Sequence, residues 1–130
     1  MNVLGMMRKE FNVDPSRIYL FGHSMGGGGT WHLGMKHPGI FAALAPVAPA
    51  IYSSENALEA IKGTPVIVVQ GDNDNLVDVN ITRRWAGKMK SLGMKYEYVE
   101  VPGGSHTDVI TNNPANMKRI LDFFDQARKR

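Results

Sequence analysis

Four short apolar runs alternate with segments of helical periodicity along this chain of 130 residues, and no other feature constrains its fold as strongly. The run at 66–69 is β-branched throughout and lies between Pro65 and Gly71, which is typical of a central strand buried on both faces. The other predicted strands span 18–21, 41–47 and 95–101, and the predicted helices span 3–11, 24–36, 54–61, 78–92 and a last segment from 113. The alternation predicts an α/β fold with a mainly parallel sheet of about four strands and flanking helices.

Several residues mark where these elements begin and end. Asp78 is the expected N-cap of its helix, and Asn113 and Pro114 are expected to open the last helix as N-cap and first residue. Pro46 must lie near the end of its strand because it cannot donate to a sheet ladder. The strand at 95–101 carries polar and apolar residues on mixed faces, which predicts a position at the edge of the sheet.

The composition fits one soluble domain spanning 1–130, since 43% of the residues are hydrophobic and 21% are charged. There is no cysteine, which excludes disulfides, thiol nucleophiles and cysteine-bound zinc. No run reaches the roughly 18 apolar residues of a membrane span, and the N-terminal residues lack the pattern of a secretion signal. We therefore expect a cytoplasmic protein without a membrane partner.

The charge balance argues against a nucleic-acid partner. Fifteen Lys and Arg residues stand against twelve Asp and Glu, which gives a net charge of +3. The basic residues are spread along the chain except for 128–130, and neither a basic stripe with aromatic platforms nor a known reading motif is visible. We therefore expect no nucleic-acid binding.

A G-x-S-x-G pentapeptide directly follows the first predicted strand, at 18–21. It consists of Gly22, His23, Ser24, Met25 and Gly26. A serine on a sharp strand-to-helix turn projects its hydroxyl above the sheet, and small residues on either side let strand and helix approach. The N–H of Met25 would lie at the helix N-terminus, where a developing oxyanion is stabilised. Glycine-rich turns are also common structural features of α/β proteins, so the pentapeptide alone leaves both interpretations open.

A nucleophilic serine needs a base, and the base needs an orienting carboxylate. Both occur after later predicted strands: the base candidate is His106, and the acid candidates are Asp72, Asp74, Asp78 and Asp108. Ser, Asp, His is the chain order typical of hydrolases on a parallel sheet, whose strands all end at the same edge. Asp is also common in turns and caps, so the residues alone do not separate these carboxylates, although a cap suits Asp78 and a turn suits Asp108.

The remaining histidines and the acidic loop favour structural interpretations. His23 should leave the turn in a different direction from Ser24, which favours a structural or pocket-lining role. His32 and His37 are expected to be packing or surface residues. The loop at 72–78 superficially resembles a calcium loop but lacks its glycine and closing glutamate, so no metal and no cofactor are expected.

Three segments together carry a family resemblance: DPSRIYLFGHSMGG at 14–27, GTW at 29–31 and FAA at 41–43. They resemble the α/β-hydrolase superfamily, and specifically the C-terminal portion of its feruloyl-esterase-like, dienelactone-hydrolase-like and polyhydroxybutyrate-depolymerase-like carboxylesterases. The resemblance covers nearly all of the chain.

The resemblance implies a role for four positions. Ser24 matches the nucleophile, His106 the base, Asp74 the acid of a G-x-x-D pattern, and the N–H of Met25 the first oxyanion donor. Asp78 departs from the pattern, because relatives often have proline there.

A larger departure concerns the strands that precede the nucleophile. Members of the superfamily usually have about four of them, and the loop after the third supplies a second oxyanion N–H. This chain resembles only strands five to eight, which implies a truncated or minimal fold without the second donor and with the nucleophile strand as an exposed edge. A free strand edge and exposed apolar surface favour self-association, so we expect a homo-dimer or higher homo-oligomer.

These observations predict a serine carboxylesterase that hydrolyses small carboxylic esters through an acyl-enzyme, with a small-molecule ester as its ligand. The alternative is a non-catalytic oligomeric scaffold or an inactive fragment of a longer hydrolase.

Overall fold

The strands and helices of the computed structural model follow the predicted order. The structure describes residues 18–51, 54–111 and 113–127, so the predicted helix over 3–11 and the basic residues 128–130 lie outside the described part. The elements are β1 (Tyr19–His23), α1 (Met25–Lys36), β2 (Ala43–Val47), a 3-10 helix (Glu55–Ile61), β3 (Val66–Gly71), α2 (Val79–Ser91), β4 (Tyr96–Val101), α3 (Asp108–Thr111) and α4 (Pro114–Gln126).

The four strands form one parallel sheet in the order β1-β2-β3-β4. Among the described strands, the predicted interior position of β3 and edge position of β4 are both confirmed, and β1 forms the other edge. Pro46 is the fourth of the five residues of β2 and lies opposite Gly22 of β1, close to the strand end as predicted. The α/β fold with a mainly parallel sheet is therefore confirmed.

Helices cover both faces of this sheet. On one face α1, the 3-10 helix and α2 bury a cluster that includes Leu44 and a pair of indoles, Trp31 and Trp85, with ring centroids 4.9 Å apart. On the other face α3 and α4 pack on the sheet, and Tyr19 stacks on Phe124 at 4.6 Å. Every residue of β2 and β3 is buried, because both strands are covered from both sides.

The element ends differ from the predictions in a few places. Asp78 caps α2 as predicted, since its carboxylate accepts a hydrogen bond from the N–H of Asn80. Asn113 is the N-cap of α4 and Pro114 is its first residue, as predicted, although the side chain of Asn113 makes no capping hydrogen bond. The segment 55–61 is a 3-10 helix, and α3 was not predicted. Among the helices described, none has the length and apolar character needed to cross a membrane.

Candidate active site

The turn between β1 and α1 holds Ser24 in an unusual backbone conformation. Its φ of 61° and ψ of −115° lie in a region that L-residues rarely adopt. Hydrogen bonds hold the turn in place: the N–H of Ser24 donates to the carbonyl of Val47 at 2.9 Å, and its own carbonyl accepts from Gly28 and Ala50. The strain at Ser24 is therefore sustained by contacts with the end of β2 and with the segment that follows it.

Close packing around this turn requires glycine, but at positions that differ partly from the prediction. A Cβ at Gly22 would overlap the carbonyl of Gly26, and one at Gly28 would overlap the carbonyl of Ala50. A Cβ at Gly26 itself would meet nothing within 4 Å, so the expected steric role of that glycine was wrong. Gly22 supports the close approach of strand and helix as predicted.

Three side chains from separate loops meet above the sheet. The Nε2 atom of His106 lies 2.7 Å from the Oγ of Ser24, and its Nδ1 lies 2.8 Å from an Oδ2 of Asp74. These residues follow β1, β4 and β3, whose C-terminal ends lie side by side in a parallel sheet. The structure thus brings together the serine, histidine and aspartate that the sequence singles out.

The surroundings of Asp74 keep its carboxylate ionised. Burial raises the pKa of Asp74, but hydrogen bonds from the backbone N–H of Val77, from His106 and from the N–H of Leu76 outweigh it, and the net pKa lies below its ordinary value. Its side chain has no exposed surface, whereas that of His106 is 12% exposed. An ionised carboxylate can only accept, so the proton of a neutral His106 imidazole lies on Nδ1 and its Nε2 is free to accept from Ser24.

Two of the other predicted acid candidates, Asp72 and Asp78, have different partners. The carboxylate of Asp72 accepts from the N–H of Gly103 at 2.7 Å, which ties the loop after β3 to the loop after β4. Asp78 serves as the cap of α2. The backbone of Asp108 begins α3, but its side chain is not among those described.

The remaining histidines follow their predicted structural roles. The Nε2 of His23 lies 2.7 Å from the carbonyl of His106, and the two rings are 5.0 Å apart. Since a carbonyl can only accept, Nε2 of His23 carries a proton and donates it. His32 is exposed on α1, and the N–H of His37 donates to the carbonyl of Leu33 at the end of that helix.

Sequence reasoning missed two buried polar residues beside Asp74. Gln70 lies in β3 with no exposed surface, and its side-chain nitrogen donates to Oδ2 of Asp74 at 3.1 Å. Thr82 of α2 is 1% exposed, and its hydroxyl donates to Oε1 of Gln70 at 3.0 Å. A glutamine directly after four β-branched residues of a buried strand is the signal that could have identified this pair.

A groove lies along the first turns of α1, which begins directly after Ser24. It has a volume of about 360 Å³ and is lined by Met25, Gly28, Gly29, Trp31, His32, Ala50 and Ile51. Met25 is the first residue of α1, so its N–H has no intrahelical partner and points out of the helix N-terminus. Within the ranges that the structure describes, no group of three or more His, Asp or Glu side chains could hold a metal ion.

Comparison with known proteins identifies the family to which this chain is related. The model of the PETase family, described as PET hydrolase-like, matches residues 7–125. The chain belongs to this PET hydrolase-like family. The resemblance to α/β-hydrolase esterases that the sequence predicted is therefore confirmed.

Individual relatives of the PET hydrolase-like chain are ester hydrolases by name. Cutinase est2 of Thermobifida alba is 31% identical over 118 residues, which cover 85% of this chain and 38% of the cutinase. The bifunctional acetylxylan esterase/xylanase XynS20E of Neocallimastix patriciarum is 34% identical over 77 residues, which cover 58% of this chain and 11% of that protein. A solved thermostable esterase superposes with a TM-score of 0.86 at 27% identity, covering 99% of this chain and 35% of that esterase. The chain thus spans well under half the length of these relatives.

Proposed function

We propose that the protein is a serine ester hydrolase that works through an acyl-enzyme, with Ser24 as nucleophile, His106 as general base and acid, and Asp74 as the orienting acid. The observation that carries the proposal is the continuous pair of contacts from Ser24 Oγ to His106 Nε2 at 2.7 Å and from His106 Nδ1 to Asp74 at 2.8 Å. A serine hydroxyl is a weak nucleophile unless a base in this position removes its proton.

The proposed reaction has two steps, acylation of Ser24 and hydrolysis of the acyl-enzyme. Oγ of Ser24 bonds to the ester carbonyl carbon while its proton passes to Nε2 of His106, and the Met25 N–H donates to the resulting oxyanion. The imidazolium, held by the Asp74 carboxylate, then protonates the alkoxide leaving group as the carbon–oxygen bond breaks. Water repeats the steps on the acyl-enzyme and releases the carboxylic acid, so no cofactor is required.

The groove along α1 supports a small carboxylic ester as the substrate. Met25, the proposed oxyanion donor and the residue that follows Ser24 in the sequence, lines this groove, and most of the lining residues are small or apolar. The names of two relatives, a cutinase and an acetylxylan esterase, are consistent with ester substrates and leave the acyl and alcohol groups open.

The test is hydrolysis of p-nitrophenyl esters from acetate to palmitate by the wild-type protein, Ser24→Ala and Ser91→Ala. Ser91 is a matched control because it is an exposed serine on α2 whose hydroxyl bonds only locally to the carbonyl of Lys88. We expect Ser24→Ala to abolish the activity and Ser91→Ala to retain it. Equal rates for the wild type and Ser24→Ala, or no stoichiometric fluorophosphonate labelling of Ser24, would instead favour the non-catalytic scaffold.

A further inference from the structure

Gln70 is a polar residue that is fully buried in the interior of the protein. It occupies an interior strand whose remaining residues, Val66–Val69 and Gly71, are all apolar, and it has no exposed surface. Transferring a side-chain amide from water into such a core is unfavourable unless its hydrogen-bonding groups are satisfied. The hydrogen bonds of Gln70 therefore explain how it is accommodated there.

Those bonds connect helix α2 to the acid of the site. The amide nitrogen donates to the carbonyl of Gly71 at 3.1 Å and to Oδ2 of Asp74 at 3.1 Å. The amide oxygen accepts from the hydroxyl of Thr82 at 3.0 Å. A buried chain thus runs from Thr82 through Gln70 and Asp74 to His106.

Only one assignment of donors and acceptors is consistent with these hydrogen bonds. The Gly71 carbonyl and the ionised Asp74 carboxylate can only accept, so the nitrogen of the Gln70 amide must face them. A flipped amide would place its oxygen against both acceptors. The amide oxygen is then left to Thr82, whose hydroxyl must donate.

We propose that Thr82 and Gln70 are positioning residues that fix the Asp74 carboxylate, and through it the His106 imidazole, against Ser24. Oδ1 of Asp74 is held by two N–H groups of its own loop, those of Leu76 and Val77, both at 2.8 Å. Oδ2 is shared between Gln70 and His106, so the Gln70 amide is the contact that ties this oxygen to the rigid sheet. The proposal rests on the proposed function.

Two substitutions at Thr82 separate the hydroxyl from the volume it occupies. Thr82→Val removes the hydroxyl and preserves the shape, whereas Thr82→Ser keeps the hydroxyl and removes a methyl group. Neither Gln70 nor Thr82 lines the groove, so a positioning role predicts an effect on kcat with KM unchanged. We expect Thr82→Val to lower kcat roughly threefold to tenfold, which is the effect of one buried hydrogen bond. Thr82→Ser should retain the wild-type kcat.

A proton NMR measurement gives a readout that does not depend on turnover. The proton on Nδ1 of His106 lies in a short hydrogen bond to Asp74, which moves its resonance downfield. We expect this resonance to shift or broaden in Thr82→Val and in Gln70→Met, and to stay in place in Thr82→Ser. This resonance can be measured even where the activity of a variant is too low for kinetics. Melting curves establish that each variant is folded.

The outcomes distinguish this proposal from the proposed function. If hydrolysis depends on Ser24 but Thr82→Val leaves both kcat and the His106 resonance unchanged, the positioning role is wrong and the hydrolase survives. Equal losses in Thr82→Val and Thr82→Ser would assign the effect to packing and also overturn the role. Hydrolysis that does not depend on Ser24 would remove the proposed function and this proposal with it.

Discussion

At the scale of single residues, the chemistry of the site depends on the ionised state of Asp74. Desolvation alone would favour the neutral acid, but the N–H groups of Leu76 and Val77 and the His106 imidazole all donate to this carboxylate. The backbone supplies these donors because the chain turns sharply after β3. The donors of this loop, together with His106, therefore keep Asp74 charged and help to set the direction of its carboxylate.

Because the pKa of Asp74 is lowered, we expect Asp74→Asn to change both stability and activity. In Asp74→Asn the amide would present a donor to His106, and we expect kcat to fall by roughly 10⁴ because the wrong imidazole tautomer is favoured. At pH values above the ordinary pKa of 3.8, the ionised carboxylate of Asp74 stabilises the fold. This stabilisation is lost as the pH falls through the lowered pKa of the folded state. The wild-type Tm should therefore exceed that of Asp74→Asn at pH 7, and the difference should shrink as the pH falls below about 4.

Melting curves of both proteins from neutral to acidic pH, with kcat at pH 7, measure these effects. Asp72→Asn is the matched control, because Asp72 lies in the same loop but contacts Gly103 and not His106. A Tm difference independent of pH would contradict the ionised role of Asp74.

At the scale of elements, α1 directly follows the strained turn and forms one wall of the groove. Its run of glycines at 26–29 is unfavourable for a helix, yet a side chain at Gly28 would collide with the segment after β2. A Cβ at Gly29 would meet nothing within 4 Å, and this residue lines the groove. The glycines of α1 thus differ in function: some allow close packing, and Gly29 leaves open space in the groove.

Filling that space predicts a change in acyl-chain selectivity. Gly29→Leu should leave the fold intact, because leucine has a higher helix propensity than glycine and a Cβ at this position has room. We expect kcat/KM for p-nitrophenyl butyrate to fall roughly tenfold relative to acetate, since two methylenes lose about 0.8 kcal/mol each when they cannot be buried. Gly87→Leu on the exposed face of α2 is the matched control, because its Cβ has equal room. An unchanged butyrate-to-acetate ratio in Gly29→Leu would show that the groove does not hold the acyl group.

At the scale of the whole molecule, the sheet ends in two different edges. At one edge β4 carries charged side chains, and Arg83 of α2 forms a paired contact with Glu100. At the other edge β1 pairs with β2 alone in the described part of the chain, and Phe21 on this strand is 39% exposed. An edge strand with an exposed aromatic residue and no charge along it favours pairing with another strand.

Self-association through β1 therefore stays a prediction, with a second copy of this chain as the partner. Antiparallel pairing of two β1 strands about a two-fold axis would satisfy both edges and cover both Phe21 side chains. We expect light scattering after size exclusion to give a dimer for the wild type and a monomer for Phe21→Lys. Leu121→Lys is the control, because Leu121 is also exposed but lies on α4. A monomeric wild type, or a dimer that persists in Phe21→Lys, would contradict this interface.

The amino-acid sequence alone specifies the order of the strands and of the described helices other than α3, the interior position of β3 and the serine turn, because each depends on local patterns. Hydrophobic periodicity, capping residues and the chain order of Ser24, Asp74 and His106 are all visible without knowing which residues meet. The resemblance then singled out Asp74, which local reasoning could not separate from Asp72 and Asp78.

What each side chain contacts depends on the tertiary structure. Asp72 and Asp74 follow the same strand two residues apart, and the direction of the loop decides that Asp74 alone meets His106. The roles of Gln70 and Thr82 depend on how α2 packs against β3, across a separation of 12 residues, and no periodicity encodes that contact. Local patterns specify elements because backbone preferences are local, whereas a buried hydrogen bond exists only where packing brings donor and acceptor together.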